Sequence, residues 1–549
     1  MTTKNIYLET FGCQMNVLDS ELVEAQLRAL GYAFTPAIEQ ADVVLYNTCS
    51  VRERSEQKVW SRLGRLKERK VEDPSLVVGV IGCMAERDGV GLMKRMPQVD
   101  LMCGPSELDQ LPALLENVLK TGKQQHALAG NTSRRTKTLE HGREQEDGLE
   151  LLDLARSFSP AEQKFQAYIR IVRGCNKFCT YCVVPYTRGA EVSRSPQAIL
   201  LEAKKLADAG CLEITLLGQT VNHYVYESDT ATSTATGPVK SRTTFAELLH
   251  LLHDNLPQVP RLRFLTSFPA DFGDDILQVM RDSPRMCRHL HIPAQSGSNR
   301  ILKMMNRGYT VESYLELVER ARRIVPDVQL AGDFIVGFPT ETDDDYALTR
   351  ELVAKVRYKN SFIFKYSPRP GTVAIKRFED DVPEEVKRFR NNDLLRVQNE
   401  VCNSLNRELV GHCVEVLCEG PSGWGDAADG AAGDGAKGDA ESIVAAGRSL
   451  VMREAAGAGG AGGVELGATL AAGVRRQGAA ATAERLDRQG KPFVTPGLGR
   501  HEAGWRQMSG RTQHDQIVVF EGPESVTGRI LTVRVREAHG MTIFADLLD

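Results

Sequence analysis

The chain has 549 residues, 42% of them hydrophobic and 26% charged, with a formal net charge of −4. That length exceeds one ordinary core, so about two to four domains are expected, and the apolar fraction excludes wholesale disorder. The near-neutral charge excludes a globally basic nucleic-acid coat, and twelve cysteines in so long a chain are too sparse for a disulfide scaffold.

Met1–Phe11 lacks the apolar run and small-residue cleavage site of a secretory signal. No run of about 18 apolar residues occurs, so no membrane span is expected. A cytoplasmic protein is the expectation, and in that reducing compartment cysteine clusters read as metal sites.

The first ~120 residues alternate strand and helix signals. Strands are predicted at Asn5–Leu8, Val43–Tyr46, Leu76–Ile81 and Val99–Met102. Helices are predicted between them, one led by Asp19/Ser20 and closed by Gly31 and one at Ser55–Lys70, and a third follows the last strand over the leucines from Leu108 to Leu119. Such alternation predicts a parallel α/β sheet. Residues 121–160 are polar and read as a linker with one helical turn.

Alternation resumes from about 161 to 396. Strands are predicted at Tyr168–Val172, Glu213–Leu217, Arg261–Leu265, His289–Pro293, Phe334–Val336 and Ser361–Tyr366. Helices separate them at Pro196–Ala209, Phe245–Asn255, Asp274–Arg281, Val311–Val325 and Asp343–Val356. Six such units suit an open, partial (βα)6 barrel, with a Ser/Thr-rich surface insertion at Glu227–Arg242. A helix at Pro383–Arg407 leads into a β-rich tail, residues 397–549. The tail is interrupted at about 421–500 by a stretch so rich in Gly and Ala that it reads as a flexible insertion.

The cysteines fall into patterns. Cys175, Cys179 and Cys182 have the spacing C-x3-C-x2-C, at the carboxyl end of the first barrel strand, where a barrel builds its site. Three thiolates leave one iron of a cubane 4Fe-4S cluster open to a small-molecule chelator. A zinc knuckle short of a ligand, or three incidental thiols, is the other reading. Cys13, Cys49 and Cys83 each follow a predicted strand, so a parallel sheet brings them to one edge. They could hold a second cluster or be buried structural thiols, and Cys103 follows its strand in the same way. Cys211, Cys287, Cys402, Cys413 and Cys418 read as structural.

The chain resembles the radical S-adenosylmethionine (SAM) methylthiotransferases. Cys175/Cys179/Cys182 match the radical-SAM triad. Thr10–Asn16, Asn47–Arg52 and Gly82–Ala85 match the family's N-terminal domain. Val184–Gly189, Leu217–Asn222, Gln295–Ser298 and Tyr366–Thr372 match further on. Asp333–Pro339 resembles the segment that lines the SAM adenine. Gly510–Gln513 resembles part of a TRAM domain, a small RNA-binding β-barrel. The wording Phe-Gly-Cys-Gln-Met-Asn and Asn-Thr-Cys-Ser-Val-Arg is most similar to the MiaB type, which methylthiolates isopentenylated adenosine beside the tRNA anticodon. Sister types act on threonylcarbamoyl-adenosine or on a ribosomal-protein aspartate.

The resemblance implies two 4Fe-4S clusters, one on Cys175, Cys179 and Cys182 and one on Cys13, Cys49 and Cys83, with Cys103 left out. It implies SAM as radical source and methyl donor. Its partners would be the tRNA anticodon stem-loop and a reducing electron donor such as flavodoxin or ferredoxin, and a monomer is expected. Carbon 2 of an adenine is an unactivated C–H that no protein base deprotonates usefully, so the reaction calls for cofactor chemistry. Phe178 and Tyr181, inside the triad loop, read as packing and shielding residues. Glu191, Ser193 and Arg194 resemble a segment near SAM, or form a solvated charged loop. Arg52–Lys70 carries eight basic against three acidic residues, either a phosphate-binding strip or a solvated face. The tail from Lys491 has seven of each sign, which leaves RNA contact to a local patch around Arg506 and Arg511.

Overall fold

The computed structural model describes residues 4–50, 53–130, 140–160, 162–227, 232–234, 237–239, 242–422 and 504–548. The expected Gly/Ala-rich insertion lies, from residue 423 onward, outside the described residues, as does Arg52.

The N-terminal part is a six-stranded parallel sheet. Its spatial order is Ala33–Phe34, Asn5–Phe11, Val43–Thr48, Val77–Ile81, Leu101–Cys103, Gln125–Ala127. Val43–Thr48 and Val77–Ile81 are buried end to end, because helices cover both faces of the sheet. Val43, Leu45, Val77 and Leu101 face one apolar cluster, and Val44, Tyr46, Val78 and Met102 the other. The four expected strands are present. The two outermost, of two and three residues, are too short to leave an alternation in the sequence.

The middle part holds the six expected barrel strands. Arg261–Phe264, Glu213–Leu217 and Gln166–Arg170 form one parallel sheet. His289–His291, Gln329–Val336 and Asn360–Lys365 form another. A single parallel bridge from Leu262 to Met286 links the two halves. Leu262, Phe264, Leu290, Leu330, Phe334 and Ile363 point outward into a large core shared with the surrounding helices. The register therefore sends Tyr168, Arg170, Arg263, His291, Asp333, Phe362 and Phe364 to the inner face. Thr244, Thr310 and Thr342 open three of the helices with full capping boxes, each satisfying end N–H groups that would otherwise be orphaned. The ends of the Glu227–Arg242 insertion are zipped as an antiparallel pair, Val225–Glu227 with Arg242–Thr244.

The tail closes into a five-stranded barrel of Cys413–Pro421, Trp505–Thr512, Ile517–Pro523, Thr542–Leu547 and Ile530–His539. It packs under the amino ends of the large barrel's strands. Arg261 donates to the Arg511 carbonyl at 2.6 Å, Gln166 to Glu419 at 2.8 Å, and Lys359 pairs with Asp515 at 3.1 Å. The floor of the large barrel is thus closed, and its carboxyl rim is left to the N-terminal sheet.

Three features depart from the sequence reading. Residues 121–160 are more than a linker. They hold the helix Glu140–Ala155, which buries Leu149 and Asp153. Asp153 joins a buried ion network and Glu150 pairs with Arg194 at 2.5 Å, so a packed helix looked like a polar connector. The sheet also takes its sixth strand beyond residue 120, and the helix Glu384–Arg407 runs through residues 396 and 397.

Candidate active site

The triad sits in a loop just beyond the first barrel strand. Gly174 enters it at φ +64°, and a Cβ there would stand 1.9 Å from the Ala190 carbonyl oxygen; only glycine allows that approach. The Cys182 N–H donates to the Cys179 carbonyl at 3.0 Å, and Thr180 N–H to the Met305 carbonyl at 3.0 Å. Cys175 and Cys179 are buried, Cys182 half-buried. Burial pushes the Cys175 thiol up to about 11, against a backbone N–H from Lys177. Cys182 is raised by burial and then by its neighbours Cys179 and Cys175. Such thiols stay protonated and inert unless a metal takes the place of the proton.

The second set lies on one sheet edge. Cys13 caps the helix Gln14–Ala29, Cys49 follows the strand Val43–Thr48, and Cys83 starts the helix Cys83–Asp88. Gly12, at φ +146°, lets two of the loops touch, since a Cβ there would stand 2.4 Å from the Cys49 Cβ. Two buried asparagines lock the loops: Asn16 Nδ2 donates to Asn47 Oδ1 at 3.0 Å, and Asn47 Nδ2 donates to the Asn16 carbonyl at 2.8 Å and to Ser20 Oγ at 2.9 Å. Burial raises the Cys83 thiol, offset by the Arg188 guanidinium that donates to it, with Cys13 and Asp19 close by. Cys103 is different. Its side chain turns into the apolar cluster beneath the sheet and donates to the Glu107 carbonyl at 3.0 Å.

The sheet edge meets the barrel rim directly. Met15, Leu18 and Leu22 pack on Leu217, with Cys13, Tyr168 and Leu265 at the margin. Beside this apolar seal runs a buried ion network. Asp19 accepts from Arg188 at 2.6 Å and Arg170 at 3.3 Å. Asp153, fully buried, takes Arg170 at 3.0 Å, Arg173 at 3.1 Å and Arg194 at 3.5 Å. Burial alone would raise the Asp153 carboxyl; Arg170, Arg194 and Arg173 overcome this and hold it well below its ordinary range. Arg194 also pairs with Glu202 at 2.8 Å, so this residue is a buried structural cation, not part of a solvated loop. Glu191 accepts from Thr220 at 2.9 Å, and Ser193 from the Val225 N–H at 3.2 Å. Inside the barrel His291 bonds Asp333 at 3.1 Å, and the Phe362 and Phe364 rings stack at 6.4 Å.

The expected basic surfaces are smaller than the sequence suggested. On the helix Glu53–Glu72, Arg62 pairs with Glu9, Arg69 donates to the carbonyls of Ile38 and Ala41, and Lys70 pairs with Asp100. Lys58, Arg65 and Lys67 face solvent; the Arg54 side chain, like Arg52, lies outside the described residues. In the tail Arg506 is 63% exposed, whereas Arg511 is tied to Glu419 and Asp515 at 3.0 Å each. Arg511 therefore belongs to the barrel floor and not to an RNA patch. Cys211, Cys287, Cys402 and Cys418 are buried as expected; Cys413 is exposed.

Residues 5–104 match the model of the uncharacterized protein family UPF0004, and residues 169–353 that of the radical SAM superfamily. The tRNA-2-methylthio-N(6)-dimethylallyladenosine synthase of Rhodopirellula baltica is 45% identical over 78% of this chain and 86% of its own length. The chain belongs to that family of synthases. Its counterpart in Carboxydothermus hydrogenoformans is 41% identical over 77% of this chain and 89% of its own. Among solved structures, the radical SAM methyltransferase TsrM of Kitasatospora setae aligns with a TM-score of 0.48 at 16% identity, over 68% of this chain and 74% of that one.

Membership of the radical SAM superfamily brings a 4Fe-4S cluster and SAM. The triad loop fits such a group. It offers three closely placed thiols, a backbone N–H aimed at Cys175, and the Arg307 guanidinium 3.3 Å from Cys179 Sγ. Among the described residues no three His, Cys, Asp or Glu side chains converge on a single-ion site; a cubane instead binds each thiolate to a separate iron. Also among the described residues, no helix is long and apolar enough to cross a membrane. Asp153, Arg307 and His291 carry no sequence motif, and Asp333 enters the sequence reading only as the start of the segment that resembles the SAM-adenine lining. Lone polar residues inside strands and turns carry no spacing signal.

Proposed function

We propose that this chain methylthiolates carbon 2 of the N6-isopentenyl (dimethylallyl) adenine beside the anticodon of tRNA. In this reading Cys175, Cys179 and Cys182 hold the radical-SAM cluster, and Cys13, Cys49 and Cys83 hold a second cluster that delivers sulfur. When bound, the clusters and SAM supply the electron, the hydrogen-abstracting radical and the methylthio group. What supports the reading above all is the juxtaposition of the two cysteine sets across the sheet–barrel seam, with Arg188, six residues after Cys182, reaching back to Cys83 and Asp19.

The chain's own residues then do three things. Met15, Leu18, Leu22 and Leu217 keep water out of the seam, which protects a radical from quenching. Asp19, through Arg188 and Arg170, fixes the sheet edge against the barrel, and such orientation is worth up to about 7–11 kcal/mol of the barrier. The barrel's inner face, with His291, Asp333, Phe362 and Phe364, offers a stacking and hydrogen-bonding lining for a flipped-out base. Arg65, Lys67 and Arg506 are among the exposed cations that tRNA phosphates would meet. A flavodoxin- or ferredoxin-like donor, a monomeric state and a cytoplasmic location complete the reading.

The direct test is incubation of reconstituted protein with SAM, dithionite and isopentenylated tRNA, followed by nucleoside mass spectrometry. A methylthio mass gain on the isopentenyl-adenosine is expected; gain on threonylcarbamoyl-adenosine alone would contradict the assignment. Gly12→Ala is expected to drive Cys13 and Cys49 apart. The variant loses about half its iron and its methylthiolation, while still cleaving SAM to 5′-deoxyadenosine; retention of full iron would refute the role of that edge.

A further inference from the structure

Every other deeply buried arginine around the site meets a carboxylate: Arg170 and Arg188 at Asp19, Arg194 at Glu202, Arg263 at Glu213, Arg390 at Glu341. Arg307 is 6% exposed, and among the described residues no ion pair to a carboxylate is found for it. Its nitrogens go to Tyr309 Oη at 2.9 Å, the Pro293 carbonyl at 3.0 Å and Cys179 Sγ at 3.3 Å. The guanidinium lies over the Phe268 ring at 4.7 Å and the Tyr309 ring at 5.3 Å. A buried cation with only neutral partners is costly, so the arrangement asks for an anion at the sulfur.

The turn that carries Arg307 also grips the triad loop. Thr180 donates through N–H to the Met305 carbonyl and through Oγ1 to the Met304 carbonyl, each at 3.0 Å, and Asn306 donates to the Phe178 carbonyl at 3.1 Å. Residues 304–307 thus hold the loop on both sides of Cys179 and place one fixed positive charge against it. Arginine suits that task better than lysine, because its planar fork keeps its charge and orients several N–H bonds at once.

We infer that Arg307 is a positioning residue for the cluster bound through Cys179: it supplies the counter-charge and N–H···S hydrogen bond that hold the thiolate and favour the reduced, more negative state of the cluster. This rests on the reading of Cys175, Cys179 and Cys182 as ligands. Reduction adds one electron with no bond made or broken; in the test below dithionite gives that electron and is itself oxidised. Hydrogen bonds to sulfur and local charge are among the terms that set iron–sulfur potentials.

The test uses the full chain with Cys13→Ala, Cys49→Ala and Cys83→Ala, so that one cluster reports. Iron content and the midpoint potential, from an electron-paramagnetic-resonance titration, are compared in this background, Arg307→Gln and Arg307→Lys. Arg307→Gln is expected to lower the one-electron reduction equilibrium at least tenfold, about 59 mV, with a smaller shift of the same sign in Arg307→Lys. A folded Arg307→Gln that no longer takes up iron, beside an Arg307→Lys that does, supports the same role. An unshifted midpoint in a loaded Arg307→Gln overturns it, as does an unshifted Arg307→Lys if the glutamine variant does not fold. A background protein that takes up no iron would instead overturn the reading of the triad.

Discussion

Asp153→Ala lowers the unfolding free energy by about 3–5 kcal/mol, the range expected when one member of a buried ion network is removed and its partners are left uncompensated. Asp153 is fully buried, and three arginines, Arg170, Arg173 and Arg194, share its carboxylate. Glu150, one turn earlier, is only half-buried and reaches Arg194 at 2.5 Å and Arg173 at 3.6 Å. Crowding by Arg170 and Arg194 already adds to the burial that lowers Arg173 to about 10, so the alanine variant leaves like charges facing one another. The pH dependence follows from the depressed carboxyl of Asp153. Its folded-state pKa lies below its ordinary value of 3.8, so the unfolded chain binds the extra proton between the two. The stabilisation is present above about pH 4 and is lost as pH falls through the folded value. Thermal unfolding followed at neutral and acid pH checks both points. A loss below about 1 kcal/mol at neutral pH would show that the network contributes little.

Cys175→Ala/Cys179→Ala/Cys182→Ala, reconstituted without oxygen, is expected to hold about four irons against about eight in the parent protein. It forms no 5′-deoxyadenosine from SAM and reductant. The reciprocal Cys13→Ala/Cys49→Ala/Cys83→Ala variant also keeps about four irons but still cleaves SAM, and only transfer of the methylthio group disappears. Iron analysis and nucleoside chromatography on the same samples separate the two sites. A parent value near four irons would remove the second cluster from the account.

Much of the architecture was legible because its periodicities are strong. Val43–Tyr46 and Val77–Ile81 are continuous apolar runs, and Glu213–Leu217 and Phe245–Asn255 have the bounds that the sequence predicts. What escaped reading had weak local signals and strong tertiary ones. The helix Glu140–Ala155 looked like a charged connector because its burial depends on arginines contributed by the barrel. Arg511 looked like an exposed basic residue because nothing near it in sequence reveals that the tail barrel plugs the large barrel's floor.

The cysteine spacings were visible at once, yet spacing alone left Cys103 level with Cys13, Cys49 and Cys83. The side-chain direction separates it, since Cys103 points with Leu101 into the core. Arg188 was visible only as part of a motif, and its reach across the seam to Asp19 and Cys83 is a property of the fold. Arg307 had no sequence signal, because a lone arginine between Asn306 and Gly308 reads as a surface turn until burial and the Cys179 contact are known.

The modified-nucleoside profile of total tRNA from cells lacking this gene, with and without the gene restored, shows whether this chain methylthiolates isopentenyl-adenosine. Without the gene, 2-methylthio-N6-isopentenyladenosine is expected to disappear and N6-isopentenyladenosine to accumulate in its place, and the restored gene is expected to reverse both. An unchanged level of the methylthiolated nucleoside in the deleted strain would contradict that activity.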